Sequence, residues 1–348
     1  MATAAPTRDL TLTQAVLEAI QLEMRRDPTI IMIGEDVAGG AGREKPEPEG
    51  WFAARGRGLV AEFGRERIID TPIAEMGFVG AGVGAAMTGL RPIVDLSFID
   101  LIGVCFDQIV NQAAKMHYMM GGKVPMPLVI RTTYGSRPGS TQKYGGGAAA
   151  QHSQTMYSVL AHISGLKVVV PTTPYNAKGL MISAIRDNGP VVILENKFLG
   201  LGSRGPVPEE AYTVPIGKCE VVRKGRDVTL CGIGRMTRMC LDAAATLAAD
   251  GIEAEVIDVL TLAPLDEDTI LESVAHTRRL VVVDEDTPTA SMARDIAARV
   301  ADKGFDNLDA PIKTVTSPEA PVPFAAVLEQ LYAPTPADIV AAVREQLG

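Results

Sequence analysis

Short runs of β-branched and aliphatic residues alternate along this chain with longer stretches in which apolar positions recur every three or four residues. The short runs predict strands at 29–34 (TIIMIG), 67–70 (RIID), 92–96 (PIVDL), 127–131 (PLVIR), 167–171 (KVVVP) and 190–195 (PVVILE). The longer ones predict helices over 12–26, 75–89, 101–119, 154–163 and 174–187. The last carries its own start signal, with Thr173 as N-cap and Pro174 in the first helical position. From 196 to 216 the rhythm lapses and Gly and Pro accumulate. It then resumes, with strands at DVTLCGIG, EAEVIDV, RLVVVDE and IKTVTS alternating with helices over 236–250, 266–276 and 289–302, before a helical tail. Alternation of this kind builds mostly parallel sheets with helices on both faces. The expected fold is therefore α/β, two successive doubly wound domains at 1–195 and 217–348 joined by a linker at 196–216. No internal sequence repeat is present.

Composition agrees with this picture. A chain of 348 residues exceeds what one core usually organises, and 47% hydrophobic with 22% charged content is the profile of a globular protein. The charge is unevenly placed. Residues 1–215 hold 20 basic and 20 acidic side chains, whereas 216–348 hold 13 and 22, so the second half carries the whole net charge of −9. An acidic surface of this kind repels nucleic acid and suits a basic protein partner. Cys105, Cys219, Cys231 and Cys240 are scattered, without CxxC spacing, which points away from disulfides or zinc and towards a reducing cytoplasm. The N-terminal MATAAPTRDL has no apolar signal core, and charged residues break every long apolar run, so neither secretion nor a membrane span is expected.

Two segments read as binding or mobile loops, 38–50 and the Gly/Ser-rich 134–154, which leads to His152. A lone His is usually structural, but one at the junction of a Gly-rich loop and a helix is also placed for proton transfer. GAGVGA (80–85) formally matches a dinucleotide fingerprint, and CGIGRM (231–236) follows a strand but lacks the third glycine. The alternative for GAGVGA is packing: Gly77, Ala81, Ala85 and Gly89, and likewise Gly80, Gly84 and Thr88, form smooth helical stripes that let another backbone approach. Glu75 opens the same helix, and no other charged residue occurs before Arg91. It could simply satisfy the helix N-terminus. Its apolar surroundings instead predict burial, which disfavours the charged form of a carboxyl and makes Glu75 a candidate acid/base group.

DTPIAEMGFVGAGVGAAMTGLRPIVDL (70–96), FDQIVNQAAKMHYMMGG (106–122), AAQHSQ (149–154), SGLKVVVP (164–171), AKGLMISAIRDNGPVVILENK (177–197) and TVPIGKCEVVRKG (213–225) occur in that order. Together they resemble the beta chains of thiamine-diphosphate-dependent 2-oxoacid dehydrogenase complexes. Within that group GEDVAGGAG (34–42), GVCFDQIVNQAAK (103–115) and APLDEDTILESV (263–274) look most like acetoin dehydrogenase beta chains, with pyruvate dehydrogenase beta chains next. The resemblance implies a transketolase-like pyrimidine-binding domain followed by a transketolase C-terminal domain. It also implies a heterotetramer of two alpha and two beta chains, inactive without the alpha chain, whose GDG-type motif would hold Mg2+ and the cofactor diphosphate.

Carried onto this sequence, the resemblance assigns Glu75 to N1′ of the aminopyrimidine, where a bonded carboxyl favours the imino form that deprotonates thiazolium C2. His152 matches the active-site histidine that handles protons during transfer to lipoamide, and Glu35 an acid lining the passage between paired cofactor sites. Ser97 and Leu101 fall at the positions facing the aminopyrimidine. Leu128, Ala184, Ile185, Asp187 and Gly189 match a potassium site built from backbone carbonyls. The acidic second domain would dock the basic subunit-binding domain of the dihydrolipoyl acyltransferase core. Two features depart from the family pattern. The loop between Arg131 and His152 is several residues longer than usual, and Ser97 and Leu101 replace bulkier Met or Phe. The alternatives are a pyruvate or branched-chain 2-oxoacid substrate, an NAD-dependent reductase using GAGVGA, and a non-catalytic scaffold.

Overall fold

The computed structural model describes residues 7–39, 56, 58–137 and 147–348. Most of the 38–50 loop and residues 138–146 lie outside the described residues. The chain divides into two compact units, one formed by Met1–Tyr134 with Val159–Ile216 and the other by Gly135–Ser158 with Gly217–Gly348.

In the first unit, Thr7–Thr11 (β1) leads into helix Leu12–Arg26 (α1), started by a capping box in which the Thr11 side chain takes the Gln14 amide. Then come strands Ile30–Glu35 (β2) and Ile68–Thr71 (β3), helix Glu75–Met87 (α2), and strands Arg91–Phe98 (β4) and Val129–Tyr134 (β5). Lys167–Val169 (β6), helix Pro174–Arg186 (α3) and Val191–Asn196 (β7) follow, and Arg204–Pro208 (β8) pairs antiparallel with β1. The main sheet of this unit runs β6-β7-β5-β4-β2-β3 with every pair parallel. Its central strands read as continuous apolar runs because helices cover both faces; β5 and β7 are buried throughout. The predicted 196–216 linker holds a short helix, Lys197–Gly202, as well as β8.

The glycines of GAGVGA lie inside α2, one to three turns past its start, with no strand leading into them. The geometry of a dinucleotide-binding turn is therefore absent. Gly82 has a packing reason: a Cβ there would lie 2.4 Å from Val94 Cγ2, so glycine lets α2 settle directly on β4. The two small-residue stripes are divided: Gly80 and Ala85 are half-buried, and a Cβ on Gly80 would lie 3.0 Å from Gln108 Oε1. Gly77, Ala81, Gly84 and Thr88 are exposed, and a Cβ on Gly84 or Gly89 would meet nothing within 4 Å.

The second unit orders its sheet β14-β13-β10-β11-β9. The strands of this sheet are Glu220–Arg223 (β9), Val228–Gly232 (β10), Ala254–Asp258 (β11), Leu280–Val283 (β13) and Lys313–Val315 (β14); a short strand, Thr261–Ala263 (β12), lies outside it. Only β9 runs antiparallel to its neighbour. Helices Arg235–Ala249 (α4), Glu267–Thr277 (α5), Met292–Gly304 (α6) and Pro336–Leu347 (α7) complete it. Its core joins Val228, Leu230 and Val256 of the sheet to Met236, Cys240 and Leu247 of α4 and Ile339 and Val343 of α7. Burial pushes the Cys231 and Cys240 thiols above their ordinary pKa, which makes them inert packing groups.

Candidate active site

Parallel strands present ligand sites at their C-terminal edges, where the chain order reverses direction across the sheet. In the first unit that reversal lies at β2, between β3 on one side and β4 on the other. Register places Glu35, the last residue of β2, opposite Thr71 of β3, and Gly34 opposite Asp95 of β4. On β4 the register slips between Leu96 and Phe98 against Thr132 and Thr133, so Ser97 is the extra residue of a bulge. Bulges of this kind re-aim side chains beside functional sites. Ser97 is buried, and its carbonyl accepts from the Thr133 hydroxyl at 2.6 Å.

Glu75 is the first residue of α2 and follows Thr71 by one short turn. Its N-cap, Ala74, offers no side-chain acceptor, so free backbone N–H groups at this end favour a carboxylate. The decisive feature is the face. Glu75, Phe78, Val79, Gly82, Val83 and Ala86 are the buried residues of the helix, and Glu75 is 6% exposed, whereas its neighbour Met76 is 59% exposed. Among the described residues none donates a hydrogen bond to this carboxylate. Cys105 lies close enough to sense it: burial, and then the Glu75 charge, push its thiol up to about 12. The Cys105 thiol also points to the Leu101 and Ile102 carbonyls, at 3.8 and 3.6 Å, which ties the half-buried Leu101 to the same neighbourhood.

Beneath this edge runs a buried charge network absent from the sequence reading. Arg131 of β5, 1% exposed, forks onto Glu195 of β7 and reaches Asp95 of β4 at 3.2 Å. Burial alone would lower the Arg131 pKa; the Glu195 and Asp95 carboxylates outweigh it and hold it above the ordinary value. Lys197, also buried, lies 4.0 Å from Asp100 and over the Phe98 ring at 4.7 Å. Thr71 Oγ1 and Thr132 Oγ1 are buried at the same edge without a hydrogen-bond partner among the described residues. Unpartnered hydroxyls and a buried, unbonded carboxylate suit a polar heteroaromatic ligand.

His152 belongs to the second unit, half-buried, with its amide donating to the Ala149 carbonyl at 3.3 Å. The carbonyls expected to hold potassium lie around the turn after α3 and at the start of β5. The Leu128 carbonyl accepts from the Val191 amide at 2.9 Å and that of Ala184 from the Asp187 amide at 3.3 Å. Arg91 donates to the Ile185 carbonyl at 2.9 and 2.8 Å and to that of Asp187 at 2.5 Å. The Gly189 amide donates to the Asp187 carboxylate at 2.8 Å, and Lys167 pairs with the same carboxylate at 2.5 Å. A carbonyl has two lone pairs, so those of Leu128, Ala184 and Asp187, each given one donor here, keep one for a cation, whereas the Ile185 carbonyl already takes two Arg91 N–H groups. Among the described residues no cluster of His, Cys, Asp or Glu could hold a metal through side chains.

Residues 8–200 match the transketolase pyrimidine-binding domain and 217–339 the transketolase C-terminal domain. The chain is 52% identical to the beta subunit of acetoin:2,6-dichlorophenolindophenol oxidoreductase of Bacillus subtilis, over 98% of each chain. The corresponding Cupriavidus necator subunit is also 52% identical over 98% of each. The chain belongs to the beta-subunit family of thiamine-diphosphate-dependent dehydrogenases. Within that family the pyruvate dehydrogenase E1 beta subunit of Rickettsia felis is 42% identical, over 97% of this chain and 98% of that one. A split-gene transketolase, described as an inactive beta4 tetramer, superposes with a TM-score of 0.74 at 22% identity, covering 97% of this chain and 98% of that chain, and so shares the fold. As a beta subunit of a multi-subunit dehydrogenase, the chain has an alpha partner. Exposed small residues of α2, Gly77, Ala81 and Gly84, lie beside Ile73 and Met76, which are 76% and 59% exposed, and a Cβ on Gly84 would meet nothing within 4 Å. No described helix is long and apolar enough to cross a membrane.

Proposed function

We propose that this chain is the beta subunit of the first component of an acetoin-type dehydrogenase complex and that Glu75 is its cofactor-activating acid. The observation that carries the reading is the placement of Glu75. It is the one charged residue on the buried face of α2, and no donor among the described residues engages it. Bound thiamine diphosphate would supply a thiazolium carbon able to attack a carbonyl and stabilise the negative charge left by C–C cleavage. Glu75 would hold a proton at N1′ of its aminopyrimidine, in a setting that excludes water and strengthens the bond. Ser97 and Leu101 would line the ring. Glu35, level with Thr71, would lie on the passage between paired sites.

His152 would move protons during acyl transfer to lipoamide. Mg2+ and the cofactor diphosphate would be held by the alpha chain in an arrangement of two alpha and two beta chains. Potassium would sit on the Leu128, Ala184, Ile185, Asp187 and Gly189 carbonyls beside Arg91; a higher melting temperature in K+ than in Na+ tests this. The pyrimidine-binding domain is taken as 1–195, the linker as 196–216 and the C-terminal domain as 217–348, in the cytoplasm. The excess acid of the last segment suits a basic docking domain on the acyltransferase core. The placement of GAGVGA inside a helix argues against the reductase alternative.

Identity favours acetoin, at 52%, over pyruvate, at 42%, and 2-oxoisovalerate, at 39% to the Bacillus subtilis subunit. The test is turnover with an artificial electron acceptor after reconstitution with the alpha chain. Acetoin is expected to be consumed fastest; a requirement for a 2-oxoacid, with acetoin ignored, would move the assignment to the pyruvate or branched-chain class.

A further inference from the structure

Both ends of the segment that carries His152 are fastened to one acidic stretch, Asp284, Glu285 and Asp286, at the C-terminal end of β13. At the entry, the Ser136 amide and hydroxyl donate to Glu285 Oε1 at 2.9 and 3.0 Å, and the Arg137 amide donates to Glu329 Oε1 at 2.9 Å. At the exit, the Tyr157 hydroxyl donates to Asp284 Oδ1 and Ser158 Oγ to Asp286 Oδ2 at 2.8 Å. Two backbone bonds brace the interior. The Gly135 amide donates to the Gln154 carbonyl at 3.0 Å and the Gly147 amide to the Phe324 carbonyl at 2.9 Å. At Gly147 a Cβ would lie 2.5 Å from Glu329 Oε2, so the backbone rests directly against a buried carboxylate.

Three adjacent acids buried together are costly. Asp284 and Glu285 are 0% and 1% exposed and Asp286 is 7% exposed. Burial, and then the neighbouring Asp284 charge, push Asp286 up to about 7, and burial pushes Asp284 up as well. Arg235, 3.5 Å from Glu285, faces the cluster as a cation and also points to the Ser136 carbonyl at 3.5 Å. Asp284 also takes the Asp286 and Ala293 amides, at 2.9 and 3.0 Å, donors outside the segment that hold its carboxylate in place. The donors that these acids receive from the segment give the burial a purpose.

We infer that Asp284 and Glu285 are positioning residues for His152: through Tyr157 and Ser136 they set where its segment leaves and rejoins the β13 edge. This rests on the reading of His152 in acyl transfer given above. A small misplacement of a proton-transfer group costs rate without costing the fold.

The test uses the enzyme reconstituted with its alpha chain, with two assays and a melting curve on each variant: turnover with an artificial acceptor, and transfer to a lipoylated domain. Tyr157→Phe, which removes one hydroxyl, is expected to lower transfer about tenfold while acceptor turnover stays within about twofold. Glu285→Ala should do the same, and Glu285→Gln, which keeps an acceptor oxygen for Ser136, should restore transfer. In a His152→Ala background Tyr157→Phe should cost nothing further, because the two act through one group. Wild-type transfer by both Tyr157→Phe and Glu285→Ala, while His152→Ala loses it, would overturn the inference and leave the role of His152 standing. Wild-type transfer by His152→Ala would overturn both.

Discussion

Glu75 and Arg131 show how single residues divide the work at one strand edge. Glu75 is buried with no partner among the described residues, which leaves its oxygens for a ligand. Arg131 is buried with two carboxylate partners and has nothing to offer a ligand; its task is to hold β4, β5 and β7 level. Removing one member of a buried ion network strands the others, at a cost of about 3–5 kcal/mol. Arg131→Met should therefore lower the denaturant midpoint by a loss of that size, and a change below about 1 kcal/mol would show that the network adds nothing. Glu75 was legible in the sequence because a lone acid in a Gly/Ala helix breaks the local pattern. Arg131, Asp95 and Glu195 were not. Each sits singly in a different strand, and register across three strands has no signature along the chain.

At the level of elements, α2 has two faces with different reasons for small residues. Gly82 meets β4, whereas Gly84 meets open space. Gly82→Ala should cost about 1–3 kcal/mol through the clash with Val94. Gly84→Ala should stabilise the isolated chain by up to about 1 kcal/mol, since alanine is the better helix former, and should weaken association with the alpha chain. Paired melting and association measurements separate these effects; equal behaviour of the two variants would contradict the assignment of faces. The sequence showed the small residues but not which of them touch the sheet.

The predicted helix over 101–119 is instead broken into a 3-10 turn, a short helix, a π-helical turn at Gln108–Ala113 and a final short helix. Each of these pieces is six residues or shorter, too short for apolar recurrence to tell one kind of helical turn from another. The β1–β8 ribbon was missed because its residues are largely exposed and its bonds are made by the backbone.

Over the whole molecule, buried acids set the response to pH. Asp286 ordinarily titrates at 3.8 and in the folded chain at about 7, so between those values the folded state holds a proton that the unfolded state has lost. Its contribution to stability is therefore full below pH 3.8 and is lost as pH rises to about 7. Facing Asp286 are Asp284, Glu285, the Ser158 hydroxyl, the Thr287 amide and Tyr332. Asp286→Asn should flatten the decline in the denaturant midpoint across this window, and an unchanged slope would contradict the account. Two α/β units were evident from the alternation of strands and helices. That Gly135–Ser158 packs with the second unit was not, because its ties to β13 are side-chain bonds across more than a hundred residues.

The central claim is that Glu75 activates the cofactor. The most direct measurement is acetoin turnover by Glu75→Gln assembled with the alpha chain, alongside the size and melting temperature of the complex. Glutamine keeps the shape of the side chain but cannot share an acid proton. The account predicts a fall in turnover of about 100-fold or more with assembly and melting unchanged. Turnover close to that of the wild type would contradict it.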